Sequence, residues 1–350
     1  MGRKNTAAGN THQLIPFFLT QSFRGDALIK TWQVILSALL TIGTVAQVKA
    51  EQPYPSKPIQ LVVAYPAGGG TDILARVIGT ELAKMLDQSI VVLNRPGASG
   101  AIGTTFVARA KPDGYTLLLD TGNVTLRPAV DPTTGFSSKD FVPIALVTES
   151  ALALVVPQSL PVASLPELLD YSRSHPGSIN YASTGHGSPQ NVMGELLKKR
   201  AGVDWQQVTY QGGAPALLDL NAGRVHVMFS NPVPLMPYLK GKKLHALAVT
   251  SKERLPGLDS VPTMAEQGQN DFVVSFWNGF LAPAGTPAPV VKKLSDAIMK
   301  VMQMPQVRNI LTQQGSILAP LDESLFKDYV QKDEERWRNI VQFVGQSAVK

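Results

Sequence analysis

The residues in this chain that could do chemistry are few, and their spacing limits what that chemistry can be. No cysteine occurs among the 350 residues, which excludes thiol nucleophiles, disulfides and cysteine-bound metals. Histidines stand at 12, 175, 186, 226 and 245, with no HExxH or other close ligand pair, so no built-in metal site is expected. Ser99 and Ser188 lack the G-x-S-x-G surroundings of a hydrolase nucleophile. His186 is two residues from Ser188 in one loop, with no acid to orient it as a base. Gly97, Gly100 and Gly103 do not have GxGxxG spacing, and a lysine-bearing phosphate loop is absent from the sequence. Catalysis and nucleotide binding therefore find little support.

What remains is a pair of anion seats without catalytic groups. Tyr65-Pro66-Ala67-Gly68-Gly69-Gly70-Thr71-Asp72 joins an apolar run of strand character, 59–63, to a stretch with helical spacing, 72–86. Three consecutive glycines leave backbone N–H groups uncovered, and Thr71 or Asp72 can cap the helix. A loop of this kind opening on a helix start can seat an anion, or it can be a plain strand-to-helix turn. Ser183-Thr184-Gly185-His186-Gly187-Ser188 precedes a second helix in the same way. Two such helix starts facing each other would grip a small carboxylate through N–H and hydroxyl donors, without an arginine clamp. Asp72 is expected to cap its helix or to take a ligand amine or hydroxyl. His175, beside Pro176-Gly177, reads as a surface turn residue, and His226 and His245 as packed or hydrogen-bonded strand residues. Phe276 and Trp277 read as core, with their place in a crossover also suiting a ligand platform.

The elements that must position these loops follow an α/β order. Strands are expected at 59–63, 90–93 and 115–119, with helices at 72–86 and 101–110 between them. That repeat predicts a mostly parallel sheet with right-handed crossovers. Residues 121–139 show little periodicity and read as loop. Apolar runs at 141–147 and 151–156 lead into a second unit. Helices are expected there at 165–174, 189–200 and 214–222, and strands at 179–182, 208–210, 225–229 and 244–250. A short helix is expected at 263–267, an extended segment at 272–281, and helices at 287–302, 305–314 and 323–344. The pattern predicts two α/β lobes with a cleft between them and the ligand at facing loop ends. The boundaries expected are 51–148 for the first part of lobe 1 and 149–272 for lobe 2. Residues 273–350 form the return crossover and C-terminal helices, mainly with lobe 1.

Composition agrees with a globular protein, with 44% hydrophobic and 17% charged residues. Of the formal charge of +6, residues 1–50 carry +4, from Arg3, Lys4, Arg24, Lys30 and Lys49 against Asp26. The rest is too weakly basic to suggest nucleic acid. Residues 32–48 are apolar and uncharged, and Val48-Lys49-Ala50 suits signal-peptide cleavage after Ala50. The polar stretch before that run is long for a signal peptide, and a start near Leu28 would give an ordinary length. Without a cysteine near the cleavage point, a lipid-anchored form is not expected.

Taken in order, further segments resemble one known family. They include Tyr54-Pro55-Ser56-Lys57-Pro58-Ile59, the 65–72 loop, Asn94-Arg95-Pro96-Gly97-Ala98-Ser99-Gly100 and Pro112-Asp113-Gly114-Tyr115-Thr116. Beyond them come Asn180-Tyr181-Ala182-Ser183, Tyr210-Gln211-Gly212-Gly213-Ala214-Pro215-Ala216, Leu247-Ala248-Val249-Thr250, Val261-Pro262-Thr263 and Ala282-Pro283-Ala284-Gly285-Thr286-Pro287. The set resembles the substrate-binding proteins of tripartite tricarboxylate transporters, the Bug receptors. The resemblance implies a periplasmic-binding-protein-like fold of the type II kind and a non-enzymatic receptor. It would capture a small organic acid as a monomer, without cofactor or metal, and pass it to a permease of large and small membrane subunits. The family's contacts map onto Tyr65, Gly68, Gly69, Gly70, Thr71 and Asp72, with Thr121 and Asn123, in the first lobe. In the second they map onto Ser183, Thr184, His186 and Ser188, then Gly213 and Ala214, then Ser230 and Asn231. The chain departs from the family pattern at His186, where asparagine is common, at Asn191, where histidine is common, and at Ser230, where aspartate is frequent. The 120–124 loop is also atypical. A sensing receptor feeding a signalling system, or a secreted enzyme on the same scaffold, remain alternatives at this point.

Overall fold

Continuous apolar runs make the central strands, because strands covered on both faces have no solvent side to alternate with. The computed structural model describes residues 53–313 and 316–349. The expected signal peptide, its upstream extension and the cleavage point after Ala50 lie outside the described residues. The first unit runs β1 (Ile59–Val63), α1 (Gly70–Leu86), β2 (Ile90–Asn94), α2 (Ala101–Ala108), β3 (Thr116–Asp120), α3 (Asn123–Val130) and β4 (Phe141–Ala151). The second runs β5 (Ala153–Pro157), α4 (Leu165–Ser174), β6 (Ile179–Ser183), α5 (Pro189–Ala201), β7 (Trp205–Thr209), α6 (Gly213–Asn221), β8 (Val227–Ser230), α7 (Pro232–Lys240) and β9 (Leu244–Val249). The chain then returns through β10 (Ser275–Pro283), α8 (Ala288–Gln303), α9 (Pro305–Gln313), β11 (Ile317–Leu321) and α10 (Glu323–Val344).

Two sheets result, ordered β11-β4-β10-β3-β1-β2 and β7-β6-β8-β5-β9. The first is parallel across β2, β1 and β3. In contrast to the mostly parallel expectation, β10 enters antiparallel between β3 and β4, and β11 pairs antiparallel with β4. The second sheet is likewise mixed, with β5 antiparallel to β8 and β9. The cause is the crossing itself. Only Leu152 separates β4 in one sheet from β5 in the other, and β10 brings the chain back alongside β4, with Asn278 opposite Thr148. A strand that leaves a lobe and one that returns to it side by side must run in opposite directions. The fold is therefore a two-lobed α/β periplasmic-binding-protein-like one, with mixed sheets.

Strand alternation divides the first lobe's core. Ile59, Leu61 and Val63 face Leu74, Ile78 and Leu82 of α1 and Leu294, Ile298 and Val301 of α8. Val62 and Leu118 face the other way, toward Leu146, Trp277 and Phe326. Each such buried side chain contributes about 1.5–3 kcal/mol. The second lobe's core has an addition from distant sequence. Trp337, Val341 and Val344 of α10, with Leu126 and Val130 of α3, join Leu154, Tyr181, Val192 and Trp205 in one apolar cluster.

Two local expectations differ from the structure, and two further elements lie where the sequence pattern predicted none. Residues 123–130 form α3 rather than loop, and Pro128 had masked its period. Residues 232–240, which carry prolines at 232, 234 and 237, form α7. Residues 317–321 form β11 despite Pro320, which is tolerated because this strand lies at a sheet edge. Residues 263–267 make a turn closed by the N–H of Gln267 on the carbonyl of Thr263 (3.2 Å), not a helix.

Candidate functional site

Three loops of the first lobe meet through side chains. The Tyr65 hydroxyl after β1 hydrogen-bonds Thr121 Oγ1 after β3 at 2.7 Å. Asn94, ending β2, donates its Nδ2 to the Tyr65 carbonyl (3.1 Å) and to Asp72 Oδ1 (3.0 Å). Asn123 Nδ2 donates to the Ser99 carbonyl at 3.1 Å. This packing requires Gly100, whose φ is +94° and where a Cβ would stand 2.7 Å from Asn123 Nδ2.

Asp72 resolves its own ambiguity. It is 3% exposed, and its Oδ2 accepts from the Gly68 N–H and from Arg76 Nε, both at 2.9 Å. The Arg76 bond, with the Gly68 and Asn94 donors, holds its carboxyl down at about 2 against the cost of burial. Asp72 thus ties the glycine loop together from behind. At the start of α1, Gly69 provides no side-chain cap, so the first N–H groups of the helix remain donors for something else. The starts of α4, α5 and α10 are closed by the side chains of Ser164, Ser188 and Asp322, whereas α6, after Gly212, starts without a side-chain cap as α1 does. At α3, the Val124 N–H donates to Asp120 Oδ2 at 3.0 Å.

The second-lobe loop is organised by Asn191. Its Oδ1 accepts from the Gly187 N–H (2.9 Å), and its Nδ2 donates to Tyr181 and Gln207. Ser183 Oγ accepts from Gln207 Nε2 at 2.7 Å, and Ser188 Oγ from the Asn191 N–H at 3.2 Å. Gly187 has φ +68°, and a Cβ there would meet Arg127 Nη1 at 2.6 Å and Val130 at 2.8 Å. Across this contact the second-lobe loop rests on α3.

Between these loops lies a cavity of about 740 Å³. Of the expected site residues it is lined by Tyr65, Gly70, Thr71, Thr121, Asn123, Thr184, Ser188 and Asn231. Gly68, Gly69, Asp72, Ser183, Gly213, Ala214 and Ser230 stand outside the lining, as does His186, which is exposed on its loop. Asp72 and Ser183 are spent on internal bonds, and Ser230 Oγ turns to the Asn231 carbonyl at 3.3 Å. The lining also holds residues that motif reading passed over, among them Leu74, Ser99, Leu126, Leu152, Gln190, Pro232 and Asn278. Phe276 and Trp277 are there too, and the crossover position weighed for them was the available signal. Trp277 Nε1 donates to Asp333 Oδ2 at 2.7 Å, and Phe276 stacks on Trp337 at 5.5 Å.

The cavity's electrostatics come from backbone and buried neighbours. Among the described residues, no charged side chain lines it. Burial, with the Asp120 carboxylate nearby, pushes the Tyr65 phenol far above its usual value and keeps it protonated. Burial raises the Asp120 carboxyl to about 6, against the pull of backbone donors at Val124 and Asn123. Among the described residues, no group of three or more histidines, aspartates and glutamates could hold a metal ion. Among the described residues, His226 Nδ1 accepts from the Asn180 N–H at 3.0 Å, His175 stacks on Tyr171 at 4.4 Å, and His245 Nε2 bonds Gln158.

Comparison with known proteins adds the context for this cavity. A family model described as tripartite tricarboxylate transporter family receptor matches residues 74–346. A relative from Pseudomonas sp. (strain P51), the UPF0065 protein in the tcbD-tcbE intergenic region, is 35% identical over 311 residues, covering 88% of this chain and 93% of the relative. The periplasmic binding protein BugD is 32% identical with a TM-score of 0.74, over 83% of this chain and 99% of that one. Rpa4515 of R. palustris, solved with adipate, is 32% identical with a TM-score of 0.75, over 83% and 98%.

Proposed function

The chain belongs to the tripartite tricarboxylate transporter family of receptors, and from that premise we propose that it captures one small organic acid in the cavity between its lobes and delivers it to the membrane permease of such a transporter. The family is one of periplasmic solute-binding transport proteins, not of enzymes. The single observation that carries the reading is the uncapped start of α1, which borders a 740 Å³ cavity at Gly70 and Thr71. An anion there takes the helix's first N–H donors and the positive end of its dipole. Tyr65 and Thr121, bonded to each other, and Asn123 hold the seat from the first lobe. Thr184, Ser188 and Asn231 face it from the second. The signal peptide is cleaved near Ala50 and the receptor acts as a monomer in the periplasm.

The test is native mass spectrometry of the purified secreted protein for a co-purifying acid, followed by a thermal-shift screen of carboxylates. A ligand at a hundred times its Kd stabilises the fold by about 2.7 kcal/mol, or roughly 5 °C for a chain of this size. A flat response to every carboxylate would sink the proposal.

A further inference from the structure

A cation where the two lobes touch is left without a counter-charge. Helix α3 carries Asn123, Leu126, Arg127 and Val130 at i, i+3, i+4 and i+7, which is one face of the helix. On that face Asn123 and Leu126 line the cavity, and Leu126 and Val130 pack in the second lobe's core. Arg127 is therefore directed at the second lobe, beside the cavity. Its Nη1 lies against Gly187, 2.6 Å from where a Cβ of that residue would stand, and Gly187 lines the cavity from the second lobe. Tyr65, which lines it from the first, feels the same charge. Burial and Asp120 raise the Tyr65 phenol, while the Thr121 bond and Arg127 pull it back.

The Arg127 side chain is half-buried, and its Nε is buried with no hydrogen-bond partner among the described residues. No aspartate or glutamate of those residues forms an ion pair with it. Arg76 and Arg336, by contrast, are paired with Asp72 and Asp333. A charge taken out of water without a partner is unfavourable, and a buried polar group left unsatisfied calls for a reason. In a receptor for acids, that reason is an anion.

We propose that Arg127 is the counter-charge of the bound ligand and a determinant of its preference for acids: the ligand's carboxylate stands at the Tyr65–Asn123–Gly187 end of the cavity and pairs with this guanidinium where the lobes meet. The inference rests on the reading of this cavity as the receptor's ligand site. An uncharged ligand of the same shape leaves Arg127 unpaired, whereas an acid satisfies it and ties α3 to the 183–188 loop.

Two variants of the purified secreted protein test this. Arg127→Met keeps a long apolar stem and removes the charge, and Arg127→Lys keeps the charge. Without ligand, the Met variant is expected to melt at or above the wild-type temperature, because an unpaired charge has gone. Titration calorimetry with succinate, adipate, hexanoate, benzoate and any acid found by the thermal-shift screen then gives affinities. The Met variant is expected to bind about tenfold or more weakly, with a flatter dependence on salt concentration, and the Lys variant to retain most of the affinity. A Met variant that melts well below wild type makes Arg127 a structural residue and overturns the inference. Unchanged affinity in the Met variant, or an equal loss in both variants, overturns it too. Each of these results leaves the carboxylate receptor standing. No heat from any acid with the wild-type protein, together with a flat thermal-shift screen, overturns both.

Discussion

Asp72 and Gly187 carry roles that their residue types alone do not announce. Asp72 sits in a motif that suggests ligand contact, yet both of its oxygens are already bonded, Oδ2 to the Gly68 N–H and Arg76 and Oδ1 to Asn94 at the end of β2. Its carboxyl is held at about 2, below the ordinary 3.8, first by Arg76. A depressed carboxyl contributes stability in full above its unfolded value, and that stability is lost as pH falls from about 4 toward 2. Asp72→Asn is expected to lower stability by about 1–3 kcal/mol at neutral pH. In urea unfolding across pH, the gap to wild type narrows in the acid window; a gap constant down to about pH 2 would contradict the assignment. Gly187 is needed for its positive φ and for the approach of Arg127 and Val130. Gly187→Ala is expected to cost about 1–3 kcal/mol, read as a lower melting temperature. If the melting temperature did not move, the contact between the 183–188 loop and α3 would not exist in solution.

At the scale of elements, α3 is the piece that periodicity missed and that the cavity depends on. It supplies Asn123 and Leu126 to the lining, and Asp120 caps it from the end of β3. Asp120 is fully buried, with its Oδ1 unpartnered among the described residues and its carboxyl raised to about 6. The native state therefore holds the proton more tightly than the unfolded one, and stability falls as pH rises from about 4 to about 6. Asp120→Asn keeps an acceptor for Val124 and removes that slope. The variant is expected to gain on wild type by on the order of 2 kcal/mol between pH 4 and pH 7. Parallel pH profiles for the two proteins would count against this. The other supporting element is α10. Its Asp333 takes Trp277 Nε1 and Thr125 Oγ1 (2.6 Å) and bonds Arg336, which fixes a cavity wall from 56 residues away along the chain.

For the whole molecule, the two lobes are joined by more than their crossover strands. Trp337 is 1% exposed and stacks on Phe276 within the second lobe's core, while Phe326 of the same helix packs in the first. One helix thus shares its apolar face between both lobes. Trp337→Ala is expected to cost about 3–5 kcal/mol. Calorimetry would show a single unfolding transition for the wild type and two separated ones for the variant, because the shared core is what couples the lobes. A single, merely shifted transition in the variant would refute that coupling.

Much of this protein was legible without coordinates, for local reasons. Strand β1, the Leu165–Ser174 helix and the Glu323–Val344 helix stand where apolar period predicts them. In each case backbone preference and burial pattern agree over a short span. The 65–72 loop announced a helix start because three glycines and a following amphipathic run are all that signal requires. Tertiary structure decided the rest. Proline hid α3 and α7, whose helices are held by contacts that sequence period does not record. The antiparallel entry of β10 depended on where the chain recrosses. Which loop residues face the cavity, with Thr184 and Ser188 on it and His186 off it, followed from hydrogen bonds among Asn191, Gln207 and Ser183 across two strands and a helix. The chain's order determines what each residue can donate or accept. Only the folded packing determines which of those groups are already satisfied and which remain for a ligand.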